Sequence, residues 1–161
     1  WPTKTSFDFK ITDEAAQVFE VVSQVRNLRA SKGMSPKESL ELTINAKNKS
    51  IYSRFESVLT KLANLSSLNF GDNVPNAMSF VVKADECFVP MGDLVNPEEE
   101  KENLKKEIEY TKGFLNSVLK KLGNERFVAG APAQVLEMER KKQADAEAKI
   151  QTLEESLSKL G

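Results

Sequence analysis

The side chains with a chemistry to offer in this chain are cationic, and they gather late in the sequence. Lys120, Lys121, Arg126, Arg140, Lys141 and Lys142 fall between positions 120 and 142, with Phe127 among them and Lys112 a short way upstream. Closely spaced lysines and arginines neutralise phosphates, and such contacts position a nucleic acid without reading its sequence. Two roles are open to Phe127: stacking on an unpaired base, or packing between the elements that carry it. Other chemistries are closed off. There is no histidine, which removes the commonest general base and the commonest metal ligand. The single cysteine, Cys87, has no partner for an internal disulfide, suits a reducing cytoplasm, and is read as a buried strand residue. No catalytic residue, no metal ligand and no cofactor are expected within the chain.

The bulk charge says less than its distribution. The 161 residues are 40% hydrophobic and 29% charged with a net charge of -1, and a nucleic-acid binder is often basic overall. Positions 110–142, however, carry seven basic and three acidic residues, a net +4. Positions 98–109 with 143–161 carry five basic and ten acidic residues, a net -5, and the first 97 residues are neutral. Charges farther apart than a Debye length of ~8 Å are largely screened at physiological salt, so a local positive field can bind phosphate beside an acidic neighbour. The competing reading is a solvated pair of helices that mixes lysine and glutamate for solubility. No apolar run approaches the ~20 residues of a membrane span. The opening Trp1-Pro2-Thr3-Lys4 lacks an initiator methionine and a signal pattern, so the expectation is the interior of a longer protein. The helical pattern running to Gly161 reads as a natural end.

Two kinds of element must hold these residues. Residues 13–31 are predicted helical, with Thr12 or Asp13 as N-cap, an apolar face of Ala15, Val18, Phe19, Val22 and Val25, Arg26 and Arg29 in the last turns, and Gly33 as the stop. Leu40, Leu42 and Ile44 alternate with polar residues as in a half-buried strand. Ile51, Phe55, Val58, Leu59 and Leu62 return to helical spacing. Short strands are predicted at Leu68–Phe70, Met78–Val82 and Cys87–Val89, with Lys83-Ala84-Asp85-Glu86 as a hairpin turn. One sheet with helices on one face is the economical packing.

After Pro97 the pattern changes. Leu104, Ile108, Thr111, Leu115, Val118 and Leu122 form one heptad seam, and Gly123-Asn124 closes that helix. Pro132 fits the first turn of the next helix, whose seam is Leu136, Glu139, Gln143, Ala146, Ile150, Leu153, Leu157 and Leu160. Two seams of similar length joined by a short connection pair antiparallel, each arm of ~24 residues reaching ~36 Å. The polar positions Glu139 and Gln143 predict weaker packing near the turn. Gly113 interrupts a good helix and reads either as a bend or as a site of close backbone approach. The expectation is an α+β chain: a small sheet-plus-helices domain over 1–97, then a long antiparallel two-helix coiled coil over 98–161. On pattern alone, such a hairpin also suits a protein-interaction or self-association module.

The turn of the hairpin carries a sequence signature. Asn124-Glu125-Arg126-Phe127-Val128, then Ala131-Pro132, Val135-Leu136 and Glu139-Arg140, resembles the tip of the C-terminal arm of valyl-tRNA synthetases. Phe88-Val89-Pro90-Met91-Gly92-Asp93-Leu94-Val95-Asn96 is similar to that family's strand and linker into the arm. Arg26-Asn27-Leu28-Arg29 with Pro36 is similar to the end of its anticodon-binding region. The resemblance implies a non-catalytic, tRNA-binding portion of a parent ligase that joins valine to its tRNA using ATP with Mg. It implies an arm that braces the outer corner of the tRNA, where the D and T loops meet. The partners implied are a valine-accepting tRNA and the catalytic domains of the same parent chain, in the cytoplasm, with neither DNA nor membrane. The residues expected to face RNA are Lys120, Lys121, Arg126, Phe127, Arg140, Lys141, Lys142 and Lys112, and Arg26 and Arg29 are further candidates beside the anticodon stem. Ser31-Lys32-Gly33-Met34-Ser35 has the wrong order for the family's Lys-Met-Ser-Lys-Ser motif and is read as a helix-to-strand loop.

Overall fold

A computed structural model describes residues 9 to 160, with the side chain of Phe9 excepted; the expectations about Trp1–Lys4 and Gly161 lie outside them. The elements are α1 (Phe9–Ser31), β1 (Leu40–Asn45), α2 (Lys49–Arg54), α3 (Glu56–Leu62), β2 (Leu65–Phe70), β3 (Ala77–Val82), β4 (Asp85–Pro90), α4 (Pro97–Leu122), α5 (Glu125–Gly130) and α6 (Ala133–Leu160). The α+β class expected from the sequence is the class observed.

Helix α1 is longer than its hydrophobic pattern. Thr12 and Asp13 lie inside it rather than at its cap. Its end follows the prediction: Gly33 adopts φ 64, its N–H donates to the carbonyl of Ala30, and the N–H of Met34 reaches back to Arg29. That pair of bonds is a Schellman close, which needs a left-handed residue that glycine supplies at little cost. Val18, Val21, Val22 and Val25 are buried, whereas Phe19 is half exposed and faces away from the core. The loop reading holds for residues 32–35, while Ser31 is the last residue of α1.

The four-stranded sheet has the order β2-β1-β4-β3. β1 pairs parallel with β2, and this requires the crossover that α2 and α3 provide. β4 pairs antiparallel with β1 and with β3, so that Ile44, Cys87 and Phe80 align across three strands. Those residues, with Leu40, Leu42, Met78, Val82 and Val89, form the main core with α1, Tyr52 and Leu59. The single helix expected over Ile51–Leu62 is two, broken at Phe55, whose φ and ψ of -105° and 17° leave helical space; Leu62 is exposed.

Two expectations fail together. The β3–β4 turn contains only Lys83 and Ala84, with Lys83 at φ 54, and Asp85 and Glu86 are buried strand residues. The sheet is also covered on both faces at this end. Val81 packs with Leu104 and Ile108 of α4 and Leu153 of α6 in a second buried cluster. Polar bonds reinforce it. Glu100 of α4 accepts from the N–H and hydroxyl of Ser79 at 2.8 and 2.6 Å. Glu86 accepts from Ser156 at 2.5 Å and from Lys159 at 3.0 Å. β3 has the near-continuous apolar run of a strand buried on both faces, and β4 is buried along both faces although it opens on Asp85 and Glu86.

Candidate nucleic-acid interface

The cationic residues sit on α4, α5 and α6, and local chemistry explains each of these elements. Asn96 caps α4, its side chain accepting from the N–H groups of Glu98 and Glu99, with Pro97 at the first helical position. Glu98, Glu99 and Glu100 occupy the first turn and Lys120 and Lys121 the last, matching the helix dipole. The two long helices run antiparallel, with Glu107 meeting Lys149 toward the base and Lys121 meeting Glu139 toward the tip. Leu104, Ile108, Thr111 and Val118 face Glu139, Ala146, Ile150 and Leu153 as the buried parts of the two seams; Leu115, Leu122, Leu136 and Gln143 are half-buried. Gly113 has open space where a Cβ would stand, so no close approach requires it.

The tip contains an element that hydrophobic spacing did not reveal. Asn124 caps the short helix α5 by accepting from Arg126 and Phe127 N–H at 3.1 and 3.4 Å. Ala131 is extended, as a residue before proline prefers to be. The carbonyl of Pro132 then accepts from Val135 and Leu136, which places Pro132 at the start of α6 and just outside its first turn. The available signal was the asparagine followed by glutamate, an N-cap with an acidic first turn. Phe127 and Val128 are half-buried.

The candidate cations divide into three groups. Lys120, Arg126 and Arg140 are exposed, and their side chains engage no partner among the described residues. Lys121 and Lys142 converge at 3.8 and 2.9 Å on one carboxylate, Glu139, which is buried in the seam. The hydrogen bond from Lys142, aided by the charge of Lys121, holds that carboxylate below its usual range. Two cations thus share one anion, leaving a positive excess. Lys112 and Lys141 are placed differently. Lys112 pairs with Glu154 at 2.7 Å, toward the acidic base. Lys141 pairs with Asp13 of α1, which raises the lysine pKa and lowers that of the aspartate.

The tip also exposes apolar residues that the seams did not include: Leu119 at 41%, Val135 at 38% and Met138 at 56%. Arg26 and Arg29 are structural. Arg26 donates to the carbonyl of Leu62 at 2.8 Å, and buried Arg29 donates to the carbonyls of Glu38, Ala63 and Asn64. They satisfy the carbonyls at the end of α3, so their place near the end of α1 reflects packing.

Comparison with known proteins agrees with this geometry. Residues 96–161 match the family model described as the valyl tRNA synthetase tRNA binding arm. Valine–tRNA ligase of Parabacteroides distasonis is 45% identical over 160 residues, which cover 99% of this chain and 18% of that protein. The ligase of Phocaeicola vulgatus is 46% identical over 151 residues, covering 93% of this chain and 17% of its own length. That of Christiangramia forsetii is 40% identical over 161 residues, 99% of this chain and 18% of its own. The chain spans less than a fifth of the length of these relatives, and it belongs to the valyl-tRNA synthetase family as a C-terminal portion that contains the tRNA-binding arm.

Proposed function

We propose that this chain binds a valine-accepting tRNA, without catalysis of its own, on behalf of a parent ligase that joins valine to that tRNA using ATP with Mg. The observation that carries this reading is the trio Lys120, Arg126 and Arg140, unpaired at the end of a hairpin that matches a tRNA-binding arm. Lys121 and Lys142 add a shared positive excess, and Phe127 stands half-buried among them. Lys112 and Lys141 contribute less, being held by Glu154 and Asp13. The arm, residues 98–161, acts as a coiled coil that braces the outer corner of the tRNA, and residues 1–97 are the platform that aims it. Among the described residues no group of three or more His, Cys, Asp or Glu is placed to hold a metal ion. The reading assigns ATP and Mg, with the chemistry, to the catalytic domains of the parent chain, and its setting is the cytoplasm.

Fluorescence anisotropy of labelled tRNA, run alongside light scattering of the protein, tests the proposal. The expected result is a monomer that binds tRNA with an affinity falling steeply as salt rises. A dimer indifferent to tRNA would instead establish the hairpin as a self-association module.

A further inference from the structure

A cleft of about 430 Å³ opens where α1, the β3–β4 turn and the two long helices meet. That volume lies within the range of small-ligand sites, roughly 300–1,000 Å³. Tyr110 and Phe114 of α4 line one wall, with Lys83 from the turn and Lys142 and Lys149 from α6. Tyr110 is 78% exposed and Phe114 43%, and neither ring belongs to a buried cluster. Four residues apart, they sit on the same helix face and form one aromatic wall. Lys142 and Lys149 are held by Glu139 and Glu107 at 2.9 and 2.8 Å, while Lys83 makes no ion pair within 4.0 Å among the described residues. Glu20 and Asp145 complete the charged lining.

Two aromatic faces beside cations are the surface on which single-stranded nucleotides stack, because every base offers a π-face. The position is favourable too. Lys142 of the cleft shares the Glu139 carboxylate with Lys121 of the tip, so the cleft borders the tip charge. We propose that this cleft is a second contact for the same RNA: it takes one unstacked nucleotide, with the base on Tyr110 and Phe114 and the backbone continuing to the tip. This rests on the tRNA-binding reading and adds to it a contact that is aromatic rather than ionic.

The two kinds of contact differ in their salt response. Phosphate neutralisation releases counterions and stacking does not. Binding of tRNA by the whole chain is therefore measured across salt for three proteins: wild type, Tyr110→Ala with Phe114→Ala, and Arg126→Glu with Arg140→Glu. The aromatic variant is expected to bind about tenfold more weakly with an unchanged salt slope, as the loss of one stacked base implies. The tip variant is expected to bind more weakly with a shallower slope. Tyr110→Phe, which keeps the ring, retains affinity, and Tyr110→Ala alone serves if the double variant fails to fold. If the aromatic variant binds like wild type while the tip variant is weakened, the cleft proposal falls alone. That outcome leaves the rings to a protein segment. If neither variant is weakened, the tRNA reading falls with it.

Discussion

Asp85 is the residue whose surroundings depart most from what its sequence neighbours suggest. Its carboxylate accepts from the Tyr52 hydroxyl and the Gln17 amide, both at 2.7 Å, while the same amide reaches the Tyr52 oxygen at 2.8 Å. Burial raises the Asp85 pKa, and the hydrogen bonds from Tyr52, Lys47 and Gln17 only partly offset it. A carboxyl whose pKa is higher folded than unfolded favours the fold while protonated. That contribution is present below the ordinary value of 3.8 and is lost as pH rises through the folded value. Asp85→Asn has no such dependence, so its stability relative to wild type should climb as pH rises from about 4, read by urea unfolding. Asp85→Ala should cost about 1–3 kcal/mol by stranding the Tyr52 and Gln17 groups. The polar run Lys83-Ala84-Asp85-Glu86 reads as a turn because hydrophobic patterning does not register a buried carboxylate with a partner distant in sequence. Cys87 was legible for the opposite reason: an apolar strand position is buried by pattern alone, and here it is fully buried with its thiol pKa pushed up.

At the scale of elements, the long helices were readable and the short one was not. The seams of α4 and α6 are sustained over many turns, so their period outweighs any single exception such as Glu139 or Gln143. Helix α5 has six residues, too few for a period and too few to be stable alone. It is set by its cap and by the proline that follows. Asn124→Ala should therefore destabilise the tip by about 1 kcal/mol, seen as faster amide exchange confined to residues near 125–130. Gly113 makes the contrasting case. Since a Cβ there meets open space and the position is exposed, Gly113→Ala should raise stability by about 1 kcal/mol in urea unfolding. Of the two roles the sequence left open for this glycine, close approach is removed.

At the scale of the whole molecule, the main correction concerns how the hairpin joins the sheet. Its base closes the second face of β3 and β4 through Leu104, Ile108 and Leu153, with Glu86 and Glu100 as buried acceptors. The local pattern suggested helices on one face of the sheet only, because which distant helix covers a second face is a fact of topology. Glu100, counted with the acidic base, and Glu86, read as part of a turn, are thus anchors. Glu100→Ala should cost about 1–3 kcal/mol by leaving Ser79 without its acceptor, whereas Lys112→Ala, which breaks an exposed pair, should change stability by less than about 1 kcal/mol. An anchored base lets a contact at the tip bear on the orientation of the rest of the chain.

The central claim is that unpaired cations at the tip hold tRNA. Its most direct test is the salt dependence of tRNA affinity for wild type and for Arg126→Glu with Arg140→Glu. Three neutralised phosphates predict a wild-type slope of log affinity against log salt of about -2 to -3. The variant should bind more weakly at every salt concentration, with a slope shallower by about 2, and the two lines should converge at high salt. Superimposable lines would contradict the account, because the tip would then carry its charge without using it.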